Sequence, residues 1–156
     1  MNHQITTLAD QPQYAEQLAR WYFDYWVVKN NPDGYDEVLA KVMGSTLSKK
    51  LPFTVLALEQ GALIGAAEVK FHDNSGDKVW LDGVYVEPNH RGKGLALELV
   101  TEAKRIACEL GVTQLYLTTR HLDGGLYVQA GFKAVERLMH RDEEALMMLA
   151  ELSLVQ

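Results

Sequence analysis

This chain of 156 residues contains a single cysteine, no run of basic residues and no long apolar stretch. Cys108 is the only cysteine, so no internal disulfide can form, and its place in an apolar helical pattern indicates a packed thiol. Lysine and arginine number 15 against 21 acidic residues, giving a net charge of −6. Because no run of basic residues interrupts this acidic balance, a nucleic-acid partner is not expected.

No apolar run approaches the roughly 18 residues that a membrane-spanning helix needs. The N-terminal segment, Met1 to Thr7, lacks the basic and apolar regions of a secretory leader. We therefore expect a cytoplasmic protein without a membrane partner. Hydrophobic residues make up 47% of the chain, which suffices for one sizeable core, so residues 1–156 are predicted to form a single domain.

Hydrophobic periodicity predicts an α/β chain of mixed helices and strands. The predicted elements are, in order, a strand at 5–8, helices at about 12–30 and 35–47, strands at 53–59, 63–71 and 79–86, a helix at 95–110, a strand at 115–119, a short helix after Asp123, and strands at 132–139 and 145–154. Turns are expected at 60–61, 73–77 and 141–143, with Gly111 as a left-handed helix end. The strands on either side of the 95–110 helix should lie parallel.

The stretch from Arg91 to Ala96 lies between the strand at 79–86 and the long helix. Such a turn leaves main-chain N–H groups unpaired beside the positive end of the helix dipole, a combination that binds phosphate. Its spacing matches neither a dinucleotide-binding turn nor a P-loop. The alternative is that Gly92 and Gly94 serve only the turn, and that Arg91 and Lys93 are solvated surface charges.

Two segments resemble signatures of one family. Val86 to Ala96 reads V-E-P-N-H-R-G-K-G-L-A and resembles the V-x-P-x-x-R-G-x-G-x-A signature of the GNAT superfamily, the acyl-CoA-dependent N-acyltransferases. Leu126 to Phe132 is similar to the L-Y-x-x-x-G-F element that follows the fifth core strand in that family. The resemblance covers nearly the whole chain. It implies a mixed, mostly antiparallel central sheet with a splayed parallel strand pair and helices on both faces.

The resemblance also implies acetyl-CoA as the cosubstrate and no metal. In this family the amides of the glycine turn hold the pyrophosphate, and the preceding strand pairs with the pantetheine arm. The cofactor-binding residues implied here are Val84, Tyr85, Val86, Arg91, Gly92, Lys93, Gly94, Leu95 and Ala96. Arg120 stands where many relatives carry an asparagine that contacts the pantetheine, so that contact has no counterpart at this position.

Acetyl transfer to an amine needs a polarised thioester carbonyl, a neutral amine and a proton donor for the departing thiolate. Tyr127 is the predicted general acid, because a phenol with a pKa of about 10 suits a thiolate leaving group. The family also places this tyrosine beside the sulfur. The alternative is a packed core tyrosine whose hydroxyl is hydrogen-bonded elsewhere.

Asp82 is the predicted general base. It shares strand parity with Val84 and Val86, and its position is often acidic in the family. Glu68, His72 and His121 stay open as alternatives, and each could equally be an ordinary polar residue.

The acceptor is predicted to be a primary amine of a small molecule or a peptide. The segment from Arg20 to Trp26 is unusually aromatic and includes Asp24, so it would suit a cationic amine, although packing in the core or in a homodimer is the commoner use of such residues. A catalytically weak acyl-CoA-binding or sensing module is the alternative function. A nucleotide-binding domain that prefers ATP or NAD is a third.

Overall fold

The computed structural model describes residues 3–46, 50–72, 76–140 and 142–153. Its elements are strand β1 (Gln4–Thr7), helices α1 (Ala15–Tyr22) and α2 (Tyr35–Gly44), strands β2 (Phe53–Glu59), β3 (Ala62–Phe71) and β4 (Val79–Val86), helix α3 (Leu95–Glu109), strand β5 (Gln114–Thr119), helix α4 (Leu126–Gln129), and strands β6 (Lys133–His140) and β7 (Glu143–Glu151). The predicted order of elements is confirmed.

The strands form one sheet in the order β1-β2-β3-β4-β5-β7-β6. Neighbouring strands run antiparallel except β4 and β5, which run parallel because α3 carries the chain back across the sheet between them. The predicted fold class, a mostly antiparallel sheet with one parallel pair, is therefore confirmed.

Helices cover both faces of the sheet. On one face α3 buries Leu99, Val100 and Ala103 completely, as the 3.6-residue spacing of its apolar positions requires. We call this side the α3 face. On the other, Leu18 and Ala19 of α1 pack with Val42 of α2 against β2 and β3. We call this side the α1 face.

Several element ends differ from the prediction. The first helix changes at Phe23 into one turn of π-helix, Phe23–Val27, so the regular α-helix is shorter than the periodicity indicated. Cys108 is only half-buried, which makes it a less enclosed thiol than predicted. Gly111 has a φ of +92°, as expected of a residue that ends a helix. Residues 73–75 and Arg141, in two of the predicted turns, lie outside the described residues.

Across the described ranges, no helix is both long and apolar enough to cross a membrane.

Candidate active-site cleft

A cleft opens where β4 and β5 separate. The two strands pair only at their beginnings, Val79 with Leu115 and Trp80 with Tyr116, and diverge beyond that point. The resulting cavity has a volume of about 470 Å³. It is lined by all the residues predicted as catalytic or cofactor-binding except Asp82 and Lys93, together with Tyr25, His90, Leu97, His121, Leu126 and Gln129.

The glycine turn forms one end of this cleft. Gly92 and Gly94 have φ values of +77° and +83°, which side-chain-bearing residues seldom adopt, and Gly94 immediately precedes α3. Within the described part of the chain, the main-chain N–H groups of Gly94, Leu95 and Ala96 donate no hydrogen bond. They are donors at the positive end of the α3 dipole, so this turn fits a diphosphate group.

Arg91 braces the turn against β4. Its Nε donates to the carbonyl oxygen of Val86 at 2.7 Å, and its guanidinium carbon lies 5.4 Å from the centre of the Tyr85 ring. The side chain therefore folds back over the last residues of the strand, holding the glycine turn at a fixed distance from the strand that lines the cleft. Lys93 does not line the cavity.

A β-bulge interrupts β4 beside the cleft. Ala66 of β3 lies opposite Tyr85 and Glu68 lies opposite Asp82, so β4 has one more residue than β3 over this stretch. The extra residue falls at Gly83, whose φ is +58°. The Tyr22 hydroxyl of α1 donates to the Gly83 carbonyl oxygen at 2.9 Å and so fixes the bulge from the α1 face.

The bulge overturns the parity argument for Asp82. Val84 and Val86 pack on the α3 face, whereas a Cβ at Gly83 would point at Tyr22 on the α1 face. Asp82 lies opposite Glu68 and contacts Lys70, both on the α1 side of the sheet. Because two consecutive residues of a bulge share one face, the alternation assumed from the sequence does not continue across Gly83.

Asp82 is held in its ionised form. Its Oδ2 lies 3.2 Å from Nε2 of His72 and 3.6 Å from Nζ of Lys70, and its Oδ1 accepts from the Gly83 N–H at 2.8 Å. Burial on its own raises the pKa of Asp82, but the His72 hydrogen bond, the Lys70 charge and the Gly83 amide outweigh it and lower the pKa to about 2. A carboxylate this acidic is a weak proton acceptor at neutral pH.

Tyr127 lines the wall of the cleft from α4. Its ring packs edge-on against Phe132 at 6.1 Å between centres, and its hydroxyl has no hydrogen-bond partner among the residues that the structure describes. Burial, and secondarily the charge of Asp82, raise the pKa of Tyr127 to about 12. The phenol is therefore protonated throughout the neutral range.

Lys104 of α3 holds the end of α4. Its Nζ donates to the carbonyl oxygen of Ala130 and lies 5.7 Å from the centre of the Phe132 ring. The helix that begins at the glycine turn is thereby tied to the short helix that carries Tyr127. In the sequence, this contact is indicated only by a lysine among the apolar positions of an amphipathic helix.

In the loop before α4, Arg120 and Asp123 contact other residues of the chain. Arg120 pairs with Glu143 of β7, with 2.9 Å between Nε and Oε2. Asp123 accepts a hydrogen bond from the Gly125 N–H at 3.0 Å, so it shapes the turn that precedes the helix. His121, one of the alternative bases, is exposed and lines the cleft.

Part of the aromatic segment from Arg20 to Trp26 reaches the cleft. Tyr85 of β4 is surrounded by Trp21, Tyr25 and Trp26, whose ring centres lie 4.9, 5.2 and 6.1 Å from its own. Tyr25 is 58% exposed and lines the cavity, whereas Tyr22 and Phe23 are buried. The segment therefore divides between core packing and cleft wall.

A buried carboxylate, Glu68, lies behind the bulge. Its side chain is only 14% exposed, and its Oε1 lies 3.2 Å from Nζ of Lys70. Burial, and secondarily the negative charge of Asp82, raise the pKa of Glu68 above its usual value, although Lys70 and His72 oppose them. Two carboxylates on one face of the sheet therefore have opposite pKa shifts.

Together the fold and the cleft define a class of protein: one in which unpaired main-chain donors at the start of a helix lie between splayed strands, beside a protonated phenol. A family model described as the Acetyltransferase (GNAT) family matches residues 15–132. The chain therefore belongs to the GNAT family of acetyltransferases. The prediction of the family, and with it of an acetyl-CoA-dependent acetyltransferase, is confirmed.

Solved structures of similar fold extend over nearly the whole chain. An aminoglycoside 6′-acetyltransferase type Ii is 21% identical, with a TM-score of 0.74 over 98% of this chain and 99% of that one. An aminoglycoside 6′-N-acetyltransferase complexed with coenzyme A is 17% identical, with a TM-score of 0.76 over the same shares. The protein yncA from Salmonella typhimurium, with its cofactor acetyl-CoA, is 19% identical with a TM-score of 0.71, over 100% of this chain and 97% of that one.

A curated relative matches over a shorter segment. The citrate (pro-3S)-lyase ligase of Klebsiella pneumoniae is 39% identical over 49 residues, which are 31% of this chain and 14% of that protein. The match thus spans about a seventh of that relative's length.

Proposed function

We propose that this protein transfers an acetyl group from acetyl-CoA to a primary amine of a small molecule or a peptide, by direct attack while both substrates are bound. The observation that carries the proposal is that one cleft contains both unpaired main-chain donors at the start of α3 and the protonated hydroxyl of Tyr127. Acetyl-CoA supplies an acetyl group activated as a thioester.

The glycine turn and β4 would hold the cosubstrate. The N–H groups of Gly94, Leu95 and Ala96 suit its diphosphate, with the α3 dipole adding a favourable field. Val84, Tyr85 and Val86 line the cleft along β4 and would follow the pantetheine arm. Gly92 supplies the turn conformation, and Arg91 sets the spacing between turn and strand. Lys93 would contribute only long-range positive charge.

Tyr127 would donate its proton to the sulfur as the carbon–sulfur bond breaks. Its raised pKa keeps the donor protonated, and its hydroxyl, unengaged by other described residues, can turn toward the cleft. Asp82, ionised and paired with His72 and Lys70, would supply negative charge near the incoming cation rather than accept its proton.

The variant Tyr127→Phe tests this assignment. It removes the hydroxyl and keeps the ring that packs on Phe132, so we expect turnover to fall by about 10²- to 10⁴-fold while calorimetry shows unchanged acetyl-CoA affinity. Tyr14→Phe is the matched control, because it also removes a tyrosine hydroxyl, one that donates to the Gly61 carbonyl oxygen at 2.6 Å, outside the cleft. Equal turnover in Tyr127→Phe and the wild type would contradict the assignment.

Release of free thiol over an amine panel tests the reaction itself. Spermidine, kanamycin and a tripeptide with a free N-terminus cover the acceptor classes, and kanamycin is included because two structural neighbours are aminoglycoside acetyltransferases. Tight acetyl-CoA binding without thiol release would favour the sensing module instead. A thermal shift larger with ATP or NAD than with coenzyme A would favour a nucleotide-binding domain.

Three expectations from the sequence belong to the same proposal. We propose that residues 1–156 form one catalytic domain and that it works in the cytoplasm. We also propose that the protein forms a homodimer, which sedimentation analysis of the purified chain would test.

A further inference from the structure

Glu68 lies against the β4 bulge, next to the wall of the cleft. It projects from β3 on the α1 face, opposite Asp82. A Cβ at Gly83 would lie 2.9 Å from its Oε1, so the carboxylate rests directly against the β4 bulge. The next residue of the bulge, Val84, lines the cleft. The residue that the carboxylate contacts, Gly83, thus directly precedes a residue of the cleft wall.

The titratable groups around Glu68 come from β3 and the residue that follows it, from β4 and from α1. Lys70 follows on β3 with Nζ at 3.2 Å, Asp82 faces it from β4, His72 lies beyond the end of β3, and the buried Tyr22 faces the bulge from α1. Lys70 lies between the two carboxylates, at 3.2 Å from Glu68 and 3.6 Å from Asp82. Only Asp82 has, in addition, the His72 and Gly83 donors.

These contacts give the two carboxylates different proton affinities. Asp82 is half-exposed, accepts hydrogen bonds from His72 and the Gly83 N–H, and forms an ion pair with Lys70. Glu68 is nearly enclosed and has one cationic partner among the described residues. Burial makes the charged form of Glu68 costly, which strengthens it as a proton acceptor. The donors around Asp82 weaken it in the same role.

We propose that Glu68 is the group that takes the proton from the acceptor ammonium, directly or through one water, in the reaction proposed above, on which this inference rests. Glu68 removes one proton from the ammonium and later releases it to solvent. The nitrogen lone pair then forms a bond to the thioester carbonyl carbon, and the electron pair of the carbon–sulfur bond leaves with the sulfur. Tyr127 protonates that sulfur and is reprotonated by the remaining excess proton on nitrogen. One proton is released per turnover.

The pH dependence of kcat distinguishes the two carboxylates. We would measure thiol release at saturating substrates from pH 5 to 9 with the most active amine of the panel. The wild type should show an acid limb and a plateau. Glu68→Gln should lower kcat at pH 7 by about 100-fold or more and replace the plateau with a rate that rises steadily with pH. Asp82→Asn should keep the acid limb.

Two further variants control the result. Glu144→Gln removes a carboxylate of the same type from an exposed pair with Arg137 and should keep the wild-type profile. Glu68→Asp keeps the charge on a shorter arm and should recover part of the rate lost in Glu68→Gln, which a purely structural role would not produce. The melting temperature of Glu68→Gln should not fall, because the change removes a buried charge.

The outcomes are separable. If the pH profile of Glu68→Gln kept the acid limb and plateau of the wild type, the role of Glu68 would be overturned. The same would hold if only Asp82→Asn lost them. Either result would leave the acetyltransferase proposal standing. Absence of thiol release by the wild type with every amine would overturn both proposals.

Discussion

Replacing Gly83 by alanine tests the bulge on which the cleft geometry depends. The new Cβ would lie 2.9 Å from Cζ and from Oη of Tyr22, and 2.9 Å from Oε1 of Glu68. Glu68 ends a flexible side chain and can move. Tyr22 is a rigid, buried ring whose hydroxyl is bonded to this same residue, so it can move only by breaking that bond or by shifting α1.

Two costs add in this variant. Alanine at a positive φ, +58° here, costs about 1–2 kcal/mol from backbone strain. Overpacking against Tyr22 adds about 1–3 kcal/mol. Gly61→Ala isolates the first cost, because Gly61 also has a positive φ, +80°, but its Cβ would meet no atom within 4 Å. The expected difference between the two variants is thus the overpacking term alone.

Thermal unfolding of the two variants measures this overpacking cost. For a chain of this size each kcal/mol corresponds to about 2–4 °C, so Gly83→Ala should melt roughly 2–12 °C below Gly61→Ala. Gly83→Ala should also lose turnover, because the displaced bulge carries Val84 out of position, while Gly61→Ala keeps it. Equal melting temperatures, or full turnover in Gly83→Ala, would refute the view that Tyr22 and Gly83 fit together closely.

Three other variants probe the surrounding structure. Gly65→Ala would place a Cβ 2.9 Å from Cδ1 of Leu99 and should cost about 1–3 kcal/mol in urea unfolding; an unchanged midpoint would contradict the close packing of α3 on β3. Asp82 has a pKa lowered to about 2, so the stability it contributes is present above the pKa of the unfolded state and is lost as the pH falls from about 4 to 2. Because this side chain is 47% exposed, its contribution to the free energy of unfolding is about 1 kcal/mol after solvent screening. Circular dichroism between about pH 4 and 2 should therefore show a weaker loss of stability in Asp82→Asn than in the wild type. Parallel stability curves for the two proteins would contradict this prediction. Lys104→Met leaves the Ala130 carbonyl without its donor and should lower the urea-unfolding free energy by about 1–3 kcal/mol, so wild-type stability would show that this contact is dispensable.

The sequence predicted the parts of the structure that depend on local pattern. The strand at 79–86 and the helix beginning at Leu95 were located because their apolar spacing is regular and because Gly92 and Gly94 mark the turn between them. The cleft residues followed from the family resemblance, since most of them lie on these two elements. The positive φ values of both glycines agree with the turn that the sequence indicated.

The bulge could not be located in the same way, because it is a mismatch between two strands rather than a property of one. Gly83 was its only local signal, since an isolated glycine inside a strand often marks a bulge. Its stabilising contact comes from Tyr22, which precedes it by 61 residues in the chain. Strict alternation therefore placed Asp82 on the same face as Val84, and the structure separates them.

The contrast between Asp82 and Glu68 shows why residue type alone could not assign the base. Both are carboxylates on the same face of the sheet and both approach Lys70. The bulge turns the Gly83 N–H toward Asp82, and His72 supplies another donor, so its charge is well solvated by the protein. Glu68 lies deeper, against Tyr22 and the bulge, without those donors. The bulge thus supplies one of the donors that hold Asp82 in its ionised form, while burial raises the proton affinity of Glu68, and a variant that removed the bulge should move the pKa of Asp82 back toward its ordinary value.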